Sequence, residues 1–442
     1  MSDSGSRSSA VPSGRMGRLY HLGRASGDFV LGLGWQGLVE ALRAEEGHGR
    51  IALSPERARK LTERLGHMRG AVMKVGQLMS MDGADVLAPE AADILGALRE
   101  SADPMPISQL DSVMRRELGK DWLKRFRHFE GTPMAAASIG QVHYAVAHDG
   151  RELALKIQFP GVRESIDSDL GNLGFLLRRI GGGSLGGIRI DPLLEEARLQ
   201  LHREADYGAE AEALEQYAAS LGDDPEIRLP GVHRDLSTER VLAMDYVEGT
   251  PIDRLAEEPP SSAARDHAAT LLARLSLREL FEFQLVQTDP NFSNFLYDTE
   301  RGRLILLDFG ATHRVRSELV GTYRRMGRAA RDQDQAALEE TARALGYLEA
   351  EASAEQVRSL LELLEMSSEP LRYPGAFDFG SSDLFERVYD RGRAMFLSER
   401  FSSAPNPESL FLHRKFLGTL LLCRRLRARV DVRSLMLPHL EA

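Results

Sequence analysis

Apolar and polar positions alternate along residues 132–159, through Ile139 and Val142 and then Glu152-Leu153-Ala154-Leu155-Lys156-Ile157. A period of two predicts half-buried strands, and Asp149-Gly150 between the two arms is a hairpin turn signal. Elsewhere the period is mostly helical. Asp28 to Glu46 is an apolar run leading into a helical pattern. Residues 53–81 read as a helical pair opening at the Ser54-Pro55 cap signal, and residues 88–128 as helix broken by Pro104 and Pro106. Residues 165–218 return to helix, with a loop at the Gly181–Gly187 cluster. Val241 to Tyr246 reads as a short strand before a turn at Glu248-Gly249, residues 263–286 as helix, and Leu304 to Leu307 as a buried strand ending at Asp308. The rest, to about residue 430, is mostly helical. There is no internal repeat. Helices, a small sheet, a helix, a strand and a large helical part predict an α+β protein with a mixed small lobe and a helical large lobe.

Composition narrows the class. The chain has 442 residues, enough for two or three lobes with real cores. A net charge of −10 argues against a general nucleic-acid binder. Cys423 is the one cysteine, which excludes an intramolecular disulfide and a cysteine zinc site and suits a reducing cytoplasm. None of the 12 histidines forms a zincin-type pair. No apolar run approaches the ~18 residues of a membrane span, and Phe416 to Cys423 is too short. Met1 to Gly14 is rich in Ser and Gly and reads as flexible. Arg7, Arg15, Arg18 and Arg24 also fit a transit peptide, but arginine is frequent throughout the chain and a flexible bacterial N-terminus is favoured.

The candidate chemistry concerns phosphate. Asp289-Pro290-Asn291-Phe292-Ser293-Asn294, followed by a strand and Asp308-Phe309-Gly310, has the spacing of the protein-kinase catalytic pair. In that chemistry the asparagine and the second aspartate hold magnesium, and the first aspartate orients or deprotonates the nucleophile. Upstream, Ala154-Leu155-Lys156 on a predicted strand follows a loop at Ala135-Ala136-Ala137-Ser138, the order of a phosphate-covering loop and its lysine. Three alanines stand where glycines are usual. Alanine reaches positive φ only at a cost, so this loop is expected to be more restricted. A kinase lysine needs a helix glutamate, and Leu194 to Leu221 reads as one acidic helix carrying Glu204, Asp206 and Glu210. Glu204 and Glu210 fall about 120° apart on such a helix. Spacing alone does not select which of them meets Lys156. Met244 and Tyr246, on the strand where a kinase has its interlobe hinge, are candidates for adenine contact. Lys74 and Gln77 share a face of a helix over Leu65 to Met81, where Gly70 and Gly76 suggest close packing against another element.

Together Lys74-x-Gly76-Gln77, Ala135-Ala136-Ala137-Ser138, Lys156, Glu204-x-Asp206, Gln287-Thr288-Asp289-Pro290-Asn291-x-Ser293-Asn294 and Asp308-Phe309-Gly310 resemble the UbiB / aarF-domain family of atypical kinases. Gln-Thr-Asp-Pro-Asn and Lys156-Ile157-Gln158-x-Pro160-Gly161-Val162 look most like its coenzyme-Q branch. The resemblance runs from about residue 55 to about 430. It implies a protein-kinase-like fold with a helical N-terminal extension, divided as 1–50 flexible, 51–130 extension, 131–247 N-lobe and 248–442 C-lobe. It implies that Lys74 pairs with Glu204 and Lys156 with Glu210. Asp289 is then the catalytic-loop aspartate, and Asn294 and Asp308 are the magnesium ligands. Lys74, Gln77, Glu204 and Asp206 would regulate by closing the extension over the site. Gln287 and Thr288 replace the usual His-Arg before Asp289, and no Ala-Pro-Glu segment follows Gly310. Both departures argue against docking a protein peptide.

The expected cofactors are ATP and Mg2+. The expected function is an ATPase or kinase supporting ubiquinone biosynthesis, beside a lipid, a quinone precursor or membrane-associated enzymes, in a bacterial cytoplasm or at the inner membrane rather than a mitochondrial matrix. The alternatives are a small-molecule or lipid kinase and a nucleotide-gated scaffold without turnover. Two further motifs compete. Gly32-x-Gly34-x-x-Gly37 matches a dinucleotide fingerprint but lacks the βαβ setting. His413 to Arg433 is basic beside an apolar stretch and reads either as a packed helix with a solvated basic face or as a lipid-facing helix.

Overall fold

The computed structural model describes residues 70, 71, 74, 75, 104–181, 184–185, 188–257, 262–289, 291–398 and 407–441. Gln77, Gly76, Pro290, the Gly32–Gly37 motif and the N-terminal region expected to be flexible lie outside them. The described residues form two compact units. One holds those up to Ala211 together with Gly231–Tyr246; the other holds Glu212–Pro230 and those from Val247 onward.

The first unit is built on an antiparallel sheet. Its strands are β1 (Phe126–Phe129), β2 (Ala135–Ala137), β3 (Gly140–Ala147), β4 (Glu152–Gln158) and β5 (Val241–Asp245). The order is β1-β3-β4-β5, with β2 pairing the other end of β3. The β3–β4 hairpin turns at Asp149-Gly150, where Gly150 has φ of 91°, a conformation that favours glycine. Leu153, Leu155 and Ile157 alternate into the core, which turns Ala154 and Lys156 to the opposite face. Helix α1 (Ile107–Leu118) buries Leu110, Val113, Met114 and Leu118. Helices α2 (Val162–Gly181), α3 (Ile190–Glu204) and α4 (Tyr207–Leu221) follow the sheet, and the unit boundary falls within α4.

In the second unit α5 (Ser262–Arg278) continues into a π turn, Glu279–Phe283, and ends at Gln284 in the left-handed region. Strands β6 (Leu285–Gln287), β7 (Phe295–Asp298), β8 (Arg303–Leu306) and β9 (Thr312–Arg314) fall in two small sheets, β6 with β9, and β7 with β8 in a sheet that Thr250–Pro251 and Ile227–Arg228 edge on its two sides. Helices α6 (Ser317–Asp332), α7 (Gln335–Ala344), α8 (Ala354–Ser367), α9 (Leu384–Ser398), α10 (Pro407–Arg425) and α11 (Val432–Glu441) make most of the rest, with a small strand pair, Phe377–Asp378 against Arg429–Val430. Their core gathers Leu319, Val320, Leu345, Leu348, Leu360 and Leu412. Among the described residues no helix is long and apolar enough to cross a membrane.

The architecture is the expected α+β one, a small lobe with a sheet and a helical large lobe. Several local expectations are corrected. Phe126–Phe129 and Leu285–Gln287 are strands that take up the ends of stretches read as helix, because β3 and β9 supply their hydrogen-bond partners. The Gly181–Gly187 loop carries a small hairpin, Ser184–Leu185 against Ile188–Arg189. The alanine loop is itself a strand, with Ala135, Ala136 and Ala137 opposite Val142, Gln141 and Gly140. The acidic helix is two helices.

Candidate active site

The break between α3 and α4 decides the geometry of the first unit. Asp206 Oδ1 accepts the Ala209 N–H at 3.0 Å and so caps α4. Gln158, at the end of β4, donates its amide to the Ala205 carbonyl at 3.0 Å and holds the break against the sheet. Glu204 therefore ends α3 while Glu210 lies in the first turn of α4, where the N-terminal dipole favours an anion. The two carboxylates are on different helices, not about 120° apart on one.

Each carboxylate takes one lysine. Both oxygens of Glu210 accept from Lys156 Nζ, at 2.8 and 2.9 Å, and both side chains are buried. The same ammonium lies 5.1 Å from the ring centre of Tyr207, the first residue of α4. Glu204 divides its oxygens: Oε1 pairs with Lys74 Nζ at 2.5 Å, and Oε2 accepts the Ser138 hydroxyl. Lys74 is only 1% exposed. Its helical segment comes close because Gly70 has no side chain; a Cβ there would lie 3.1 Å from the Ile139 side chain. Gly140 allows a second close approach, since a Cβ on it would lie 2.3 Å from the Ile157 carbonyl oxygen.

Strand register gathers the remaining candidates of this unit. Residues directly opposite in a ladder share a face. Ala135 opposes Val142, Val142 opposes Lys156, Lys156 opposes Leu242, and Ala154 opposes Met244. Ala135, Lys156 and Met244 thus stand on one face of the sheet, and Ala136 on the other. Tyr246 follows β5, donates its N–H to the Glu152 carbonyl and meets Tyr144 edge-on at 5.0 Å.

In the second unit, the loop after β6 is tied from several sides. The Thr288 hydroxyl donates to the Ala311 carbonyl at 2.8 Å. The Asp289 carbonyl accepts two side-chain amides, from Gln287 and Asn294, each at 3.0 Å. Asn291 caps the turn Phe292–Asn294 by accepting the Ser293 N–H. Asp289 and Asp308 are half-buried and Asn294 is buried. Asp308 Oδ1 accepts the Gly310 N–H at 3.0 Å, and Phe309 is buried edge-on to Tyr217 at 5.1 Å. An amide oxygen from Asn294 and a carboxylate from Asp308 are hard oxygen donors of the kind Mg2+ takes.

Sequence reasoning missed what stands behind this loop. Glu279, the first residue of the π turn, is wholly buried and pairs with Lys415 of α10 at 2.6 Å. Its Oε1 accepts the Tyr217 hydroxyl at 2.7 Å and the Gln287 N–H at 3.3 Å. Burial pushes its carboxyl above the usual carboxylate range, against the pull of Lys415, Tyr217 and the Gln287 N–H. Burial and the neighbouring Glu279 push the Tyr217 hydroxyl well above the usual tyrosine range. One signal was available: Leu412, Lys415, Thr419, Leu422 and Leu426 repeat at helical spacing, all buried, with a lysine inside the stripe. Lys415 thus does not belong to a solvated or lipid-facing basic surface. Arg424 pairs with Glu386, and Arg425 stacks over Phe292 at 4.9 Å.

A model of the ABC1 atypical kinase-like domain matches residues 97–342. The Saccharomyces cerevisiae atypical kinase COQ8, mitochondrial, is 36% identical over 435 residues, which cover 97% of this chain and 85% of that protein. The Rattus norvegicus atypical kinase COQ8B, mitochondrial, is 36% identical over 437 residues, covering 97% and 81%. Among solved structures, the complex of Rv3197 with erythromycin from Mycobacterium tuberculosis superposes with a TM-score of 0.60 at 26% identity, covering 86% of this chain and 95% of that one.

Proposed function

Because the chain belongs to the ABC1 atypical kinase-like family, we propose that it binds ATP with Mg2+ and hydrolyses or transfers the terminal phosphoryl group in support of ubiquinone biosynthesis. The observation that carries this reading is the buried two-pronged pair of Lys156 and Glu210. A lysine held by both carboxylate oxygens has a fixed ammonium, and a fixed ammonium on a sheet face suits phosphate oxygens. Ala135, Ala136, Ala137 and Ser138 cover the phosphates, and Met244 and Tyr246 meet the adenine. Asp289 orients the attacking group and accepts its proton, its backbone fixed by Gln287 and Asn294. Asn294 and Asp308 hold the Mg2+, which when bound neutralises phosphate charge. Lys74, Gln77, Glu204 and Asp206 regulate: Asp206 by capping the helix of Glu210, and Lys74 by tying the extension to Glu204.

The Lys74 helix, together with the missing Ala-Pro-Glu segment, supports a site closed to protein peptides. The acceptor is then water, a lipid or a quinone precursor, met at the face of a membrane beside other enzymes of the pathway. A bacterial cytoplasm or inner-membrane surface suits that reading; the two relatives named above carry mitochondrial names of their own.

The test is ATP turnover with Mg2+, alone, with anionic liposomes and with a phenolic quinone-precursor mimic. Turnover that rises with liposomes or mimic, is lost in Asp308→Asn and fails on generic protein substrates is the expected result. Transfer to the mimic or to a lipid makes the protein a small-molecule or lipid kinase. Nucleotide binding without turnover makes it a scaffold, and efficient transfer to unrelated peptides shows an open site; either overturns the proposal.

A further inference from the structure

The second unit contains a buried lysine–glutamate pair that the proposed chemistry does not use. Glu279 is 0% and Lys415 1% exposed, and the ammonium lies 5.9 Å from the ring centre of Phe295. Burying two charges costs several kcal/mol each, and apolar residues of similar volume often serve stability as well or better. Stability alone therefore gives the pair no purpose. Its surroundings do. Glu279 Oε1 accepts the Gln287 N–H, and the Gln287 side chain donates to the Asp289 carbonyl, which also takes the Asn294 amide. The second donor to Glu279 is Tyr217, whose ring meets Phe309, next to Asp308. One carboxylate thus touches the strand that enters the Asp289 loop and the tyrosine that backs the Asp308 turn. Lys415 fixes that carboxylate, and the Ser276–Thr419 hydrogen bond at 2.8 Å fastens α10 to α5 beside it.

We infer that Glu279 and Lys415 are positioning residues, which set the backbone at Asp289 through Gln287 and the Asp308-Phe309 turn through Tyr217. The inference rests on the roles given above to Asp289, Asn294 and Asp308. The carboxylate is the working group because it alone accepts from both segments; the lysine keeps it in place.

Two double variants of the full chain separate positioning from packing. E279Q/K415M removes both charges but keeps an oxygen that accepts from Tyr217 and Gln287. E279L/K415M removes the acceptor as well. With ATP and Mg2+, the Gln variant should keep kcat within about twofold, and the Leu variant should lose roughly tenfold in kcat with little change in KM. Native-state amide exchange should quicken by about tenfold in the Leu variant at residues 287–294 and 309–311, with α6 to α8 unchanged. Equal kcat and equal exchange in the two variants overturn the inference, as does faster exchange spread evenly over the unit. Should neither variant fold, Tyr217→Phe decides: a fall of about fivefold in kcat with faster exchange at 309–311 supports it, and native values for both overturn it. If the native protein turns over no ATP, the proposed function fails, and the exchange measurement still decides this inference.

Discussion

Glu204 and Glu210 stand six residues apart, each buried and each facing a lysine, yet they hold their partners differently. Glu210 gives both oxygens to Lys156 within one compact arrangement of strand and helix. Glu204 gives one oxygen to Lys74, more than a hundred residues earlier in the chain, and the other to Ser138 beside the alanine strand. The first arrangement is a fixture. The second is a junction, where a single carboxylate ties two separate segments and the release of either frees an oxygen for the other. The difference follows from the two residues at the helix break. Were α3 and α4 continuous, the two carboxylates would ride on one rigid rod and move together.

The sharpest way to break this comparison is Lys156→Ala. It should lower turnover by about 10²–10³ and, by leaving Glu210 buried without its partner, cost roughly 3–5 kcal/mol of stability measured by denaturant unfolding. Near-native turnover would remove Lys156 from the chemistry. The junction should respond more mildly. Lys74→Ala and Glu204→Ala are each expected to cost about 1–3 kcal/mol and to alter nucleotide affinity, with a coupling of at least ~0.5 kcal/mol in the double mutant. Strict additivity for stability and binding would show that the two do not act together. Ser138→Ala removes one hydrogen bond and should cost about 1 kcal/mol while leaving the Lys74 pair intact; a titration that finds Ser138→Ala as damaging as Lys74→Ala would mean the hydroxyl, not the ammonium, holds the junction. Ala136→Gly should have the smallest effect, under ~1 kcal/mol, with a changed ratio of ATP to ADP affinity as the strand loosens. An unchanged ratio by calorimetry denies the alanines any special part.

Much of this was legible in the chain. The alternation around Leu153, Leu155 and Ile157 and the Asp149-Gly150 turn mark β3 and β4, because their period and turn chemistry are local. The motif residues were legible by their spacing. What escaped depends on partners outside the segment itself. Ala135–Ala137 has no strand propensity of its own and is extended because β3 offers it a ladder. Phe126–Phe129 and Leu285–Gln287 are drawn out of helical-looking stretches in the same way. The break at Ala205-Asp206 has neither glycine nor proline; an aspartate that caps a helix reads in sequence like any acidic residue on a helix face. Lys415 reads as a surface charge until Glu279 is found opposite it.

The π turn at Glu279–Phe283 carries one further consequence. It accommodates an extra residue between α5 and β6, so the distance along the chain from Arg278 to Asp289 is a matter of count as well as composition. Removing one residue between 280 and 283 would close the wide turn into an ordinary α turn, whereas a residue removed from Ser262–Arg278 would turn everything beyond by about 100° relative to what precedes it. Glu279, at the head of the turn, would keep its place opposite Lys415; what would go is the left-handed close at Gln284, whose carbonyl takes the Val315 N–H. A single-codon deletion is therefore expected to fall more gently here than anywhere in the helix before it, because this turn already holds a residue to spare.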